Sequence, residues 1–158
     1  MPLEIERKFL VSSEDWRGEW PSFAIRQGYL TTGDATTVRV RVCGAAAFLT
    51  VKGEGGGAVR SEYEYEIPVA DATEMLLLCQ PPLIEKVRYR IPIADVVWEV
   101  DEFAGENAGL VLAEVELTHP RQPIELPPWV GREVTTDMCY RNSYLARHPF
   151  RTWRAAAA

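Results

Sequence analysis

The sequence predicts a mainly β chain of the α+β class, in which antiparallel strands close, or nearly close, into a barrel and a few helices pack outside it. Three observations carry this prediction. Many segments alternate apolar and charged residues with a period of two, turn formers separate them at short intervals, and only a few stretches have helical character.

Taken in order, "LEIERKFLV" puts Glu4, Glu6 and Lys8 on one face and Leu3, Ile5, Phe9 and Val11 on the other, with Arg7 the exception. "SSEDW" offers a Ser or Asp cap for a turn or two of helix before Pro21. "AIRQGYLTT" is the next strand and leads through "GDA" into "TTVRVRV", where Arg39 and Arg41 oppose Val38, Val40 and Val42. "AFLTVKGE" follows as the hairpin partner and brings Lys52, and "GEGGGA" makes a turn. "RSEYEYEIPV" sets Glu62, Glu64 and Glu66 against Tyr63, Tyr65 and Ile67. "DATEMLLLCQ" reads as an Asp-capped helix ended by two prolines. Three more strands follow: "IEKVRYRIPI" groups Lys86, Arg88 and Arg90, "VVWEVDEF" groups Glu99 and Asp101, and "VLAEVEL" groups Glu114 and Glu116. The proline-rich "PRQPIELPPWVGRE" reads as an irregular crossing, "DMCYRNSYLAR" as a second helix, and residues 151–158 as a loosely ordered tail.

A chain of 158 residues with 47% hydrophobic content suits one domain spanning 1–158. No run of about 18 apolar residues and no secretory signal is present, so a cytoplasmic protein without membrane spans is expected. Cys43, Cys79 and Cys139 are widely spaced and odd in number, which predicts ordinary thiols. The net charge of −6 has the wrong sign for gripping a nucleic-acid backbone, and the five tryptophans have no basic stripe beside them. "KGEGGGAV" lacks the Gly-Lys-Ser/Thr ending of a phosphate loop, and His119 and His148 lack metal-ligand spacing.

The charged faces carry the functional signal. Some strands present only acids (62/64/66, 99/101, 114/116) and others only bases (39/41, 86/88/90). A solvated surface needs no such sorting, so the charges are expected to face inward, where acids and bases pair with one another or with bound ions and ligand. Carboxylates two residues apart supply hard oxygen ligands for Mg²⁺ or Mn²⁺, and clustered Lys and Arg supply donors for phosphate oxygens.

The order of "EIERK", "VRVR", "TVK", "EYE", "EKVRY" and "AEVEL" along nearly the whole chain resembles the CYTH or triphosphate tunnel metalloenzyme family. The resemblance implies an eight-stranded antiparallel barrel around a tunnel where bases bind a triphosphate and acids bind a divalent metal. It implies Glu4, Glu6, Glu114 and Glu116 as metal ligands and Lys8, Arg39, Arg41, Lys52, Lys86 and Arg88 as phosphate binders. Glu62, Glu64, Glu99 and Asp101 are expected to orient the attacking water, bind a second metal, or balance the bases. Lys86 beside Tyr29 is expected to assist proton transfer. One departure stands out: Cys139 occupies the arginine position of the family's Asp-x-Arg-Tyr-x-Asn stretch, which implies a missing cationic contact.

The length and "RQGYLTT" resemble the small bacterial members and point to hydrolysis of inorganic tripolyphosphate to pyrophosphate and phosphate. The alternatives are a thiamine triphosphatase, a class IV-type adenylate cyclase, or a non-catalytic polyphosphate- or nucleotide-binding module. Self-association as a homodimer is also expected.

Overall fold

A computed structural model describes residues 2–31, 36–54 and 57–157, the side chains of 154–157 excepted. The predicted "GDA" turn at 33–35 and part of the "GEGGGA" turn lie outside the described residues. Eight strands follow in chain order: β1 Leu3–Val11, β2 Ser22–Thr31, β3 Thr37–Cys43, β4 Ala46–Lys52, β5 Val59–Ile67, β6 Ile84–Ile93, β7 Val96–Phe103 and β8 Val111–Glu116. Their hydrogen-bonded order is β5-β4-β3-β2-β6-β7-β8-β1, and β1 returns to pair with β5, so the antiparallel sheet closes. Closure gives β1 a barrel neighbour on each edge: β8 along Glu6–Leu10, and β5 along three pairs, Leu3 with Ser61, Glu4 with Arg60 and Ile5 with Val59.

Period-two alternation decides which way each strand faces. The register sets Gln27 opposite Arg41, Lys8 opposite Glu114, Glu99 opposite Glu114, and Arg88 opposite Asp101, all on the inner face. The apolar faces therefore point outward and must be covered. Helix α1, Val69–Leu78, lays Ala72 and Leu76 on Val40 and Ala47, while Trp16 and Trp129 help cover the Phe9–Trp98–Val115 face on the other side. A third cluster, including Ile84, Phe103, Leu110, Leu112 and Leu145, packs where the charged stretches of β6, β7 and β8 give way to apolar residues.

Two-residue turns join β3 to β4 and β6 to β7, and at the first of them Gly44 takes φ +59° without the clash a Cβ would bring. Gly28 on β2 has a different reason. A Cβ there would sit 2.7 Å from Cys79 Cβ and 2.8 Å from Leu83 Cδ2, so its absence lets the end of α1 approach the sheet.

The structure departs from expectation at five places. "SSEDW" forms turns, closed by Arg17 N–H donating to Glu14 O. Helix α1 starts before the predicted Asp cap, with Pro68 at the N-cap, where a missing N–H costs nothing. The proline-rich crossing contains a further strand, β9 Val130–Glu133, paired to β1 beyond β5. The predicted second helix is broken into a 3-10 turn, Met138–Tyr140, and a one-turn helix α2, Asn142–Leu145, because Arg141 between them is extended (φ −73°, ψ 139°). The end of the chain is helical, α3 Phe150–Ala157, with Trp153 packed edge-on against Tyr140, Tyr144 and Phe150. Among the described residues no helix is long and apolar enough to cross a membrane.

Gly28→Ala should destabilise the fold by about 1–3 kcal/mol through overpacking between β2 and the end of α1, measured as a shift in the urea unfolding midpoint. A variant as stable as the parent would show that Cys79 and Leu83 yield without cost.

Candidate functional site

Every strand of the barrel contributes to a polar cavity of about 180 Å³. Its lining includes Glu4, Glu6 and Lys8 from β1, Tyr29 from β2, Arg39 and Arg41 from β3, and Lys52 from β4. It continues with Arg60, Glu62 and Glu64 from β5, Lys86 and Arg88 from β6, Glu99 from β7 and Glu114 and Glu116 from β8. Arg141, Asn142 and Ser143 of the C-terminal segment complete it. The charges are inside. Lys8, Arg39, Lys52, Lys86, Arg88, Asp101 and Glu114 are all buried, whereas Tyr65 is 59% and Leu77 83% exposed.

Burying ions requires partners, and most of these ions have them. Lys52 Nζ lies 2.8 Å from Glu4 Oε1 and 3.2 Å from Glu62 Oε2; Arg60 Nε also reaches Glu4, at 3.3 Å. Asp101, fully enclosed, accepts from Lys86 Nζ (2.7 Å) and from Arg88 Nε (2.7 Å) and Nη2 (2.9 Å). Glu114 faces Lys8 and Arg88, both at 3.4 Å. Arg39 Nη2 donates to Thr50 Oγ1 at 3.2 Å and approaches Glu64 at 3.5 Å, while its buried Nε meets no protein acceptor.

These surroundings move the ionisation equilibria. Burial pushes Glu4 up, but the Lys52 ammonium, with Arg60, outweighs it and holds the carboxyl at about 2. Burial also opposes ionisation of Asp101 and Glu114, yet Arg88 and Lys86 at the first and Lys8 at the second keep both low. Glu6 goes the other way: burial, with the like charges of Glu114 and Glu4, pushes it up to about 8. Burial lowers Lys86 to about 7 against the pull of Asp101.

The four acids named for metal thus divide. Glu4 and Glu114 are held by cations, while Glu6 and Glu116 face each other in register across β1 and β8 and make no ion pair among the described residues. Among those residues no three carboxylate, imidazole or thiol groups gather closely enough to hold an ion alone. Two hard oxygen donors nonetheless suit Mg²⁺, which is commonly held by one or two carboxylates with water and substrate phosphate completing its octahedron.

The phosphate binders named from the sequence, Lys8, Arg39, Arg41, Lys52, Lys86 and Arg88, all line the cavity. Of the acids named for water or charge balance, Glu62, Glu64 and Glu99 line it, and Asp101 lies behind Lys86 and Arg88. Arg90 and Glu66 are exposed and outside the lining, although they continue the same alternation. Tyr29 and Lys86 both line the cavity, and two of the three Lys86 ammonium protons go to Asp101 and to Asn142 Oδ1 (3.1 Å). Cys139 sits in the turn capped by Asp137 and is not part of the lining; Arg141, two residues on, is. Burial and Arg60 lower the Arg141 pKa. Arg141 and Gln27 escaped the sequence reading because one lies outside any strand and the other is uncharged.

The CYTH domain matches residues 2–143, almost the whole of the barrel and its C-terminal closure. The chain belongs to the CYTH family. Among curated proteins it is 46% identical over 155 residues to the inorganic triphosphatase of Acetivibrio thermocellus, covering 98% of this chain and 99% of that one. It is 42% identical over 147 residues to the inorganic triphosphatase of Nitrosomonas europaea, covering 90% and 96%. The crystal structure of the inorganic triphosphatase NE1496 superposes with a TM-score of 0.67 at 39% identity, covering 92% of this chain and 95% of that one. A putative adenylyl cyclase from Hippeastrum shares the fold, with a TM-score of 0.59 at 16% identity over 74% of this chain and 80% of that one.

Glu6→Gln should separate stability from metal binding. Between pH 4.5 and about 8 the folded chain holds a proton at Glu6 that the unfolded chain has released, so this group makes stability fall as pH rises through that window. Glu6→Gln should raise the stability of the chelated protein at pH 7.5 by on the order of a few kcal/mol and remove the added stability that Mg²⁺ gives the parent. Equal Mg²⁺ stabilisation of variant and parent would take Glu6 out of the metal site.

Proposed function

We propose that this CYTH protein is a divalent-metal-dependent triphosphatase that hydrolyses inorganic tripolyphosphate to pyrophosphate and phosphate inside the barrel. The observation that carries this reading is the enclosure of eight cationic side chains and a facing group of carboxylates around one small polar cavity. The names of the two curated relatives, at 42–46% identity over nearly the whole chain, support the choice of substrate.

In this reading Arg39 and Arg41 hold phosphate oxygens through N–H donors, Arg88, whose Nε and Nη2 are held by Asp101, adds its charge from the wall, and Lys8, Lys52 and Lys86 supply point charges. Glu6 and Glu116, with Glu4 and Glu114 in the same lining, would hold Mg²⁺ or Mn²⁺, which would supply neutralising charge to the phosphate oxygens. Glu62 and Glu64 orient the attacking water. Its oxygen bonds to a terminal phosphorus, the P–O–P bridge to that phosphorus breaks, and pyrophosphate leaves, charge stabilisation and positioning doing most of the work. Tyr29 hands its proton to the departing oxygen and is restored by the proton that the attacking water gives up to Glu62 or Glu64, while Lys86, whose pKa of about 7 reflects burial, contacts phosphate. A nucleotide suits the cavity less well, because Tyr29 is its single aromatic lining residue among those described.

Phosphate release should be seen from tripolyphosphate with Mg²⁺ or Mn²⁺, should vanish in chelator, and should exceed release from thiamine triphosphate or ATP. Tyr29→Phe should lower kcat roughly 10- to 100-fold, and Lys86→Ala should lower it at least as far. Cyclic AMP as the main product from ATP, or tight binding of tripolyphosphate with no turnover, would overturn the hydrolase assignment. Undiminished turnover in Tyr29→Phe would remove that residue from the chemistry.

A further inference from the structure

Lys8, Arg39, Lys52, Arg60, Lys86 and Arg88 each have a carboxylate within ion-pair distance. Arg41 has none among the described residues, although it lines the same cavity and its surroundings lower its pKa to about 10, burial first and then the charges of Arg39 and Arg88. What holds it is neutral. Arg41 Nε donates to Gln27 Oε1 at 2.7 Å, and Gln27, with no solvent exposure, is the residue opposite it in the β2–β3 register.

The other end of the same amide is also committed. Gln27 Nε2 donates to Asn142 Oδ1 at 2.9 Å, and that oxygen accepts from Lys86 Nζ at 3.1 Å. Flipping either amide would set donor against donor, so the network admits one arrangement. One uncharged side chain thus connects a β3 arginine, a β6 lysine and the C-terminal segment that closes the cavity.

We propose that Gln27 is a positioning residue that presents Arg41 as the un-neutralised anchor for the phosphate chain, while fixing Asn142 beside Lys86. A carboxylate at this position would orient the guanidinium equally well but cancel the charge the substrate needs. An amide orients it and leaves the charge. Only Nε is engaged, so the two terminal nitrogens, a planar pair suited to two phosphate oxygens, have no protein hydrogen bond among the described residues. This inference rests on the tripolyphosphate reading given above.

The test is calorimetric binding of tripolyphosphate to the full chain in chelator, with steady-state hydrolysis in Mg²⁺, for Gln27→Met, Gln27→Glu, Arg41→Met and the Gln27→Met/Arg41→Met double variant. Gln27→Met should weaken binding and raise KM roughly tenfold with little change in kcat. Gln27→Glu should weaken binding further, and Gln27→Met should add little once Arg41 is gone. A merely structural glutamine predicts the opposite order, since Glu keeps its size and its acceptor, and an outcome in which Gln27→Glu binds better than Gln27→Met overturns the proposal. So do independent effects in the double variant, or a fall in kcat at unchanged KM. Thermal melts accompany each variant, and the isosteric Gln27→Glu carries the comparison with the parent if Gln27→Met does not fold. A parent chain that neither binds nor cleaves tripolyphosphate fails in the first arm, which overturns the substrate reading and the proposal with it.

Discussion

The structure depends on neutralising ions that have been turned inward. A carboxylate or ammonium removed from water loses several kcal/mol of hydration, so a barrel with a charged lining stands only if its charges answer one another. The pairs do this between strands: β6 with β7 through Lys86, Arg88 and Asp101, and β8 with β1 through Glu114 and Lys8. Lys52 reaches across from β4 to Glu4 on β1, spanning the intervening β5. The same contacts that make the lining tolerable therefore also bind non-adjacent parts of the wall.

Turning the ions inward forces the apolar surface outward, and the rest of the chain serves to cover it. Trp16, Trp98 and Trp129 cluster on one face and the Ala72–Leu76 side of α1 covers another. These segments are not an appendage to the barrel; they are its hydrophobic core, displaced to the outside. A substitution that loosens Trp98 and one that breaks the Lys86–Asp101 pair attack the fold from opposite sides of one sheet.

This inversion also explains what could be read from the sequence. β1, β3, β5, β6, β7 and β8 were legible because charge on one face and hydrophobicity on the other is a sharper alternation than polarity alone, and the same charges gave most of the lining. β9 was not, since four residues among prolines pair along one edge and show no alternation. The break at Arg141 was hidden because nothing in "CYRNSY" forbids a helix; the extended backbone there is set by docking on the barrel, where Lys8 Nζ donates to Tyr140 O at 3.0 Å. Gln27 was invisible as a site residue, since a neutral amide in a strand carries no charge pattern, and its meaning appears once Arg41, Asn142 and Lys86 converge on it.

Among the described residues the joint between β1 and β5 spans three residue pairs, fewer than the five to eight of the other barrel seams. If Leu3–Ile5 parted from Val59–Ser61, the remaining staves would stay bonded edge to edge, but bulk water would flood the interior and screen its grip on a polyanion. Inactivation would then precede denaturation, and the lifetime of the working vessel would be that of its shortest hoop.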